Sequence, residues 1–187
     1  MAATELPFRC SVGRSVIDSH TMNMNVGSHV FLLGPHGCGK STIGRHLAAQ
    51  GYVHLSIGLI GRLARRGARP ADLPVRVLQV MARHVPGEAL DPRAATEILD
   101  YARSLDRVVI DGFPAHVEHL ALLNDIERWK FVYVLTPRQI REQRLRARAE
   151  TTKRGWSPGL KSVRDSLLPS LCWHLRSNGQ LLRHLNG

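Results

Sequence analysis

The chain has 187 residues, 43% of them hydrophobic and 22% charged, which suffices for the core of one large domain and leaves no apolar run long enough to span a membrane. Three cysteines, Cys10, Cys38 and Cys172, are widely separated and odd in number, a pattern that speaks against a disulfide framework or a zinc site and points to a reducing, cytoplasmic setting. The net charge of +11 is uneven, since 13 of 26 basic but only 3 of 15 acidic residues lie from Arg128 onward, so this third of the chain is expected to face something anionic.

Residues 1–28 read as an N-terminal extension: Arg9 and Arg14 stand against Glu5 and Asp18, with no apolar leader pattern. From residue 29 a single domain is expected. His29 to Leu33 (HVFLL) has the profile of a buried parallel strand ending at glycine. Lys40 to Gln50 then predicts a helix, Gly51 to Leu55 a strand, and Ile57 to Arg66 a short basic helix. Beyond Pro70, helices are expected at Leu73 to His84 and at Pro92 to Ser104, the second with Asp91 as its cap. Arg107 to Ile110 (RVVI) is the clearest strand. A helix at His116 to Ile126, a strand at Phe131 to Leu135 and an arginine-rich helix at Pro137 to Glu150 follow. A loop at Gly155 to Gly159, a helix at Leu160 to Ser177 and a strand at Gln180 to Leu185 close the chain. Strands alternating with helices at this spacing imply an α/β fold, with a parallel sheet and helices on both faces. Ligands of such sheets bind beyond the carboxyl ends of the strands.

GPHGCGKST, residues Gly34 to Thr42, satisfies G-x-x-x-x-G-K-[ST] straight after a strand and at the start of a helix. Gly34, Gly37 and Gly39 let backbone N–H groups turn inward around phosphate oxygens, with Pro35, His36, Cys38 and Thr42 completing the loop. Lys40 is placed to reach the outer phosphates and the Ser41 hydroxyl to ligate Mg²⁺. Asp111, at the end of its strand, sits where a carboxylate orients that ion; the bland alternative is an Asp-Gly turn. Arg141, Arg144 and Arg148 fall within an arc of about 60° on their helix, so all three can address one anion, although such a run is also a common solvated face. Cys38 is either a thiol with a lowered pKa or a small loop residue, and His36 reads as a loop-tip residue. Trp129, Trp156 and Trp173 form no stacking ladder for single strands.

Taken together these pieces resemble the adenylate kinase and nucleoside monophosphate kinase family from about Val30 to Gly187. The match runs through the phosphate loop, HLSIGLIGRL (His54 to Leu63), VIDGFP (Val109 to Pro114), YVLTPRQIREQRLRAR (Tyr133 to Arg148) and the C-terminal stretch from Val163. The resemblance implies a three-layer α/β/α fold with a five-stranded parallel sheet and ATP with Mg²⁺ as donor and cofactor. It implies an acceptor-binding segment at about 56–90 and a short lid at about 150–158. By position it implies Lys40, Asp111, Arg144 and Arg148 as catalytic residues. Ser56, Arg62, Gly112 and His119 would lie on the acceptor side, and Arg154 would be a lid arginine.

Departures from the family pattern collect on the acceptor side: Ala115 stands where an arginine normally follows D-G-F-P, Leu59 replaces an aspartate, and His119 replaces a glutamine. Losing one charge-assisted phosphate contact costs about 1.5–3 kcal/mol. Arg65, Arg66 and Arg69 lie close enough to Arg62 to substitute. The expected activity is transfer of the ATP γ-phosphoryl to a nucleoside monophosphate. Two alternatives stand beside it: a kinase for another small molecule or a polynucleotide end, and a nucleotide-binding regulatory protein that contacts RNA through its basic C-terminal third.

Overall fold

The structure, a computed structural model, describes residues 28–152 and 163–185. The expected N-terminal extension up to residue 27, Arg154 and most of the expected lid lie outside these residues. Five strands, β1 (His29–Leu33), β2 (Val53–Ser56), β3 (Val108–Asp111), β4 (Trp129–Leu135) and β5 (Leu181–Leu185), form one sheet in the order β2-β3-β1-β4-β5. Every neighbouring pair is parallel, with His29 opposite both Val108 and Trp129 and with Ser56 and Leu32 opposite Asp111.

Why β1 is central follows from its side chains. All five are buried, and their two-residue period sends Phe31 and Leu33 to one face and Val30 and Leu32 to the other. The first face is covered by α2 (Ile57–Arg65), α3 (Val75–Arg83), α4 (Pro92–Arg103) and α6 (Val163–Ser177) through Ile60, Met81, Leu99 and Leu171. On the second face Ile43 and Leu47 of α1 (Lys40–Ala48) pack against Val109 and Val132. Phe31 anchors the larger core, stacked on Trp129 at 4.3 Å and on Phe131 at 5.2 Å between ring centres. Asp91 caps α4 as expected, accepting the backbone N–H groups of Arg93 and Ala94 at 3.0 Å.

One element departs in kind from the expectation. Residues 116–126 are not an α-helix but two 3₁₀ turns, Val117–Leu122 and Ile126–Arg128. Leu123 leaves the helical region (φ −99°, ψ 75°), and Asn124 and Asp125, a turn-forming pair, lie between the two pieces. Asp125 then fixes the chain by accepting from Arg103 Nη2 at 2.9 Å, Arg103 Nε at 3.2 Å and Trp129 Nε1 at 3.3 Å. These bonds reward a bend that a continuous helix would remove. Because the pair is partly solvated, Asp125→Ala is expected to cost about 1–3 kcal/mol of stability, read as a lowered urea midpoint; an unchanged midpoint would remove Asp125 as the anchor of this loop.

Candidate functional site

The phosphate loop lies at the carboxyl end of β1, where the sheet order switches from β3 on one side to β4 on the other. Its glycines are needed as glycines. Gly34, Gly37 and Gly39 all have positive φ, and a Cβ on Gly37 would meet the Arg141 carbonyl oxygen at 2.8 Å and Leu145 Cγ at 3.0 Å. The loop tip is therefore seated against α5 (Arg138–Thr151). Thr136 Oγ1 donates to the Cys38 carbonyl at 2.9 Å, tying the loop to the end of β4. Cys38 is fully buried, which fits its reading as a small loop residue.

Lys40 Nζ donates to the carbonyl oxygens of Gly34 at 2.6 Å and Pro35 at 2.9 Å, so the loop holds its own cation at its rim. Ser41 and Thr42 follow on the first turn of α1 and are exposed. Across from them stands Asp111, whose side chain is only 8% exposed; Oδ2 accepts from His54 Nε2 at 2.8 Å and Oδ1 accepts from the Ser56 hydroxyl at 3.1 Å. Burial pushes the Asp111 carboxyl up, but hydrogen bonding and charge from His54 outweigh it. Lys40 and Ser41 add to that effect, so the group stays below the usual carboxylate range. It is thus an anion at neutral pH, and His54 must carry its proton on Nε2. Nothing in the sequence pattern singled out His54. The residue that makes room for it is Gly44, where a Cβ would lie 2.6 Å from His54 Cδ2.

Two of the residues expected at the acceptor are occupied elsewhere. The Ser56 hydroxyl serves Asp111. His119 is buried, its Nδ1 accepting from the Ala115 N–H at 3.2 Å and its Nε2–H donating to the Leu90 carbonyl at 3.0 Å, with the ring stacked on Phe113. Both ring nitrogens of His119 are therefore engaged within the chain. Arg62 is half-buried with its guanidinium over Gly58, and Gly112 has φ 94°. Arg144 is half-buried and Arg148 exposed on α5, beside the Arg141 backbone that meets the loop.

Sequence reasoning missed Arg164. It reaches from α6 over Gly112, where a Cβ would lie 3.4 Å from Arg164 Nη2. Burial lowers its pKa, and Asp165 and Asp111 only partly offset this. Among the described residues, the buried Nε atoms of Arg164 and Arg141 have no hydrogen-bond partner. Arg141 Nη1 donates to the His36 carbonyl at 3.5 Å, so the two Nε–H groups, one on α5 and one on α6, are the donors left for a ligand's anionic oxygens.

The same burial has a consequence for stability. Burial lowers the pKa of His29, His84 and His119 from 6.5, with Arg65 and Arg164 adding to it at His84. Below pH 6.5 the unfolded chain takes up protons that the folded one resists, so stability present above that pH is lost as pH falls towards the folded values. Asp111, Asp125 and Asp165 are lowered from 3.8 and act only at lower pH. The urea midpoint is expected to fall between pH 6.5 and about 5; a flat profile contradicts this.

A phosphate loop between β1 and α1, faced by a carboxylate at the end of β3 in a five-stranded parallel sheet, defines a P-loop fold of the kinase type. The chain belongs to the AAA domain family (AAA_18), which it matches over residues 30–165. Among solved structures it is similar to a gluconokinase from Sinorhizobium meliloti 1021, with 16% identity, a TM-score of 0.51 and coverage of 87% of this chain and 84% of that one. It is also similar to shikimate kinase from Acinetobacter baumannii in complex with shikimate, with 21% identity, a TM-score of 0.47 and coverage of 86% and 84%. No curated protein sequence matches. The likeness to the gluconokinase supports the fold, and adenylate kinase is not singled out by these comparisons. No described helix is long and apolar enough to cross a membrane.

Proposed function

We propose that the protein is an ATP- and Mg²⁺-dependent phosphotransferase that passes the γ-phosphoryl to a small acceptor bearing its own anionic group, with nucleoside monophosphates the leading class. The observation that carries the reading is the pair of buried, unpartnered guanidinium Nε atoms, on Arg141 and Arg164, flanking a phosphate loop. A single ionised carboxylate and a serine hydroxyl beside the loop lysine are hard oxygen donors of the kind Mg²⁺ takes when substrate phosphates and water complete its shell. Asp111 and Ser41 would hold the ion, which when bound supplies charge neutralisation at the phosphates.

The chain's own residues supply the rest. The loop amides and Lys40 would grip the donor, while Arg144 and Arg148 would sit over the group in transfer. Arg62 and Arg164 would hold the acceptor's anion, with Arg164 taking the place of the arginine missing at Ala115. Catalysis of this kind is positioning and fixed charge rather than covalent chemistry. The test is ATP consumption measured with nucleoside monophosphates and, in parallel, hydroxy acids such as gluconate and uncharged polyols. Turnover with a nucleoside monophosphate is expected. Turnover only with an uncharged acceptor, insensitive to Arg164→Ala, would exclude the anionic acceptor site.

A further inference from the structure

Two adjacent side chains of α6 reach opposite halves of the site. Asp165 turns to the phosphate loop, where Oδ2 accepts from the His36 backbone N–H at 3.2 Å and Oδ1 from His36 Nδ1–H at 3.0 Å. An ionised carboxylate only accepts, so the imidazole proton on this side is on Nδ1. Burial pushes the Asp165 carboxyl up, yet bonding and charge from His36, with Lys40 behind it, hold the group below the usual range. Arg164 turns the other way, over Gly112.

A guanidinium desolvated in this manner would gain by swinging its head towards water, as long cationic side chains do where the backbone permits. Its backbone is held. Leu168, Leu171 and Leu175 seat the later turns of α6 in the core, and the Asp165–His36 pair ties its first turn to the loop. The tie joins residues 129 positions apart in the chain, and it fixes the residue next to Arg164.

We propose that His36 and Asp165 are positioning residues: their bidentate contact docks the first turn of α6 on the phosphate loop and thereby aims Arg164 across Gly112 at an anion beyond the donor's terminal phosphate. Donor loop and acceptor cation then move as one unit. The inference rests on the phosphotransferase reading above and adds to it how the acceptor cation is kept in register with the donor.

Adenosine 5′-tetraphosphate tests it, because on this proposal its fourth phosphate would extend beyond the donor's terminal phosphate to Arg164. The quantity read is the ratio of its affinity to that of ATP, each measured calorimetrically with Mg²⁺ on the full chain. A merely structural role weakens both ligands alike and leaves this ratio where it was. In the wild type the tetraphosphate is expected to bind about tenfold tighter, the worth of one charge-assisted contact. Arg164→Ala and Asp165→Asn should each bring the ratio to near unity. His36→Ala should do the same, and His36→Asn, whose amide N–H stands in for Nδ1–H, should restore most of it. A wild-type ratio in Asp165→Asn, with the ratio lost in Arg164→Ala, overturns the positioning role. Should Asp165→Asn not fold, the two His36 variants decide, and equal ratios in both count against the proposal. A wild type that binds ATP without preferring the tetraphosphate sinks the proposal and leaves nucleotide binding intact. Binding of neither ligand removes the nucleotide reading itself, and the inference with it.

Discussion

Replacing Lys40 by alanine should lower ATP-dependent phosphoryl transfer by about 10²–10³-fold, the usual cost of deleting one preorganised charge at a reacting centre. The ammonium already sits at the loop rim, donating to Gly34 and Pro35 carbonyls at 2.6 and 2.9 Å, and needs only a side-chain rotation to meet a phosphate. Those two carbonyls are exchangeable partners, so the variant should stay folded and its urea midpoint should move little. Lys40→Arg should fare almost as badly, because a planar fork cannot replace a compact ammonium in a loop this tight. The loss should appear mainly in kcat if the lysine acts on charge that grows during transfer. Turnover of Lys40→Ala equal to wild type would falsify the assignment of this loop as the donor site.

Gly44→Ala is expected to be harmful in two ways at once. Ordinarily a buried helical glycine gains about 1 kcal/mol of helix propensity on becoming alanine. Here the new methyl would press into the His54 ring, 2.6 Å from Cδ2, and the ring has little room to retreat because its side chain is only 12% exposed. Overpacking of this sort costs about 1–3 kcal/mol. The displaced imidazole would also release Asp111, so the Mg²⁺ concentration giving half-maximal activity should rise about 10–100-fold, as it does when the supporting partner of a metal-holding group is lost. A Gly44→Ala/His54→Ala double variant should recover stability but not the Mg²⁺ dependence. A single variant that is more stable than wild type, with normal Mg²⁺ response, would show that His54 does not hold Asp111.

The parts of this fold that were legible in the sequence are those with a local cause. HVFLL is a strand as expected, and the expected strand RVVI is found one residue further on, at Val108–Asp111. GPHGCGKST carries its own backbone requirement in three glycines, all of which have positive φ. Asp91 announced its helix because a cap bonds residues two and three positions on. What sequence reading lost depended on distant partners. The bend at Asp125 is stabilised by Arg103 and Trp129, and no local window over residues 116–126 contains both. The partners of His119, the Leu90 carbonyl and the Ala115 N–H, could not be read from the sequence. Arg164 lay in a basic stretch where any one arginine resembles the next, and only the course of α6 brings it to Gly112.

The sheet order also dictates when this protein can begin to exist as it is made. β1, with five buried side chains, lies between β3 and β4, and its nearest partner in the chain begins at Val108. During synthesis HVFLL must therefore wait without a strand neighbour until β3 has emerged. Contacts of such long sequence separation close slowly and leave strand edges open to other chains. Yield on expression should respond to slower synthesis or chaperone supply.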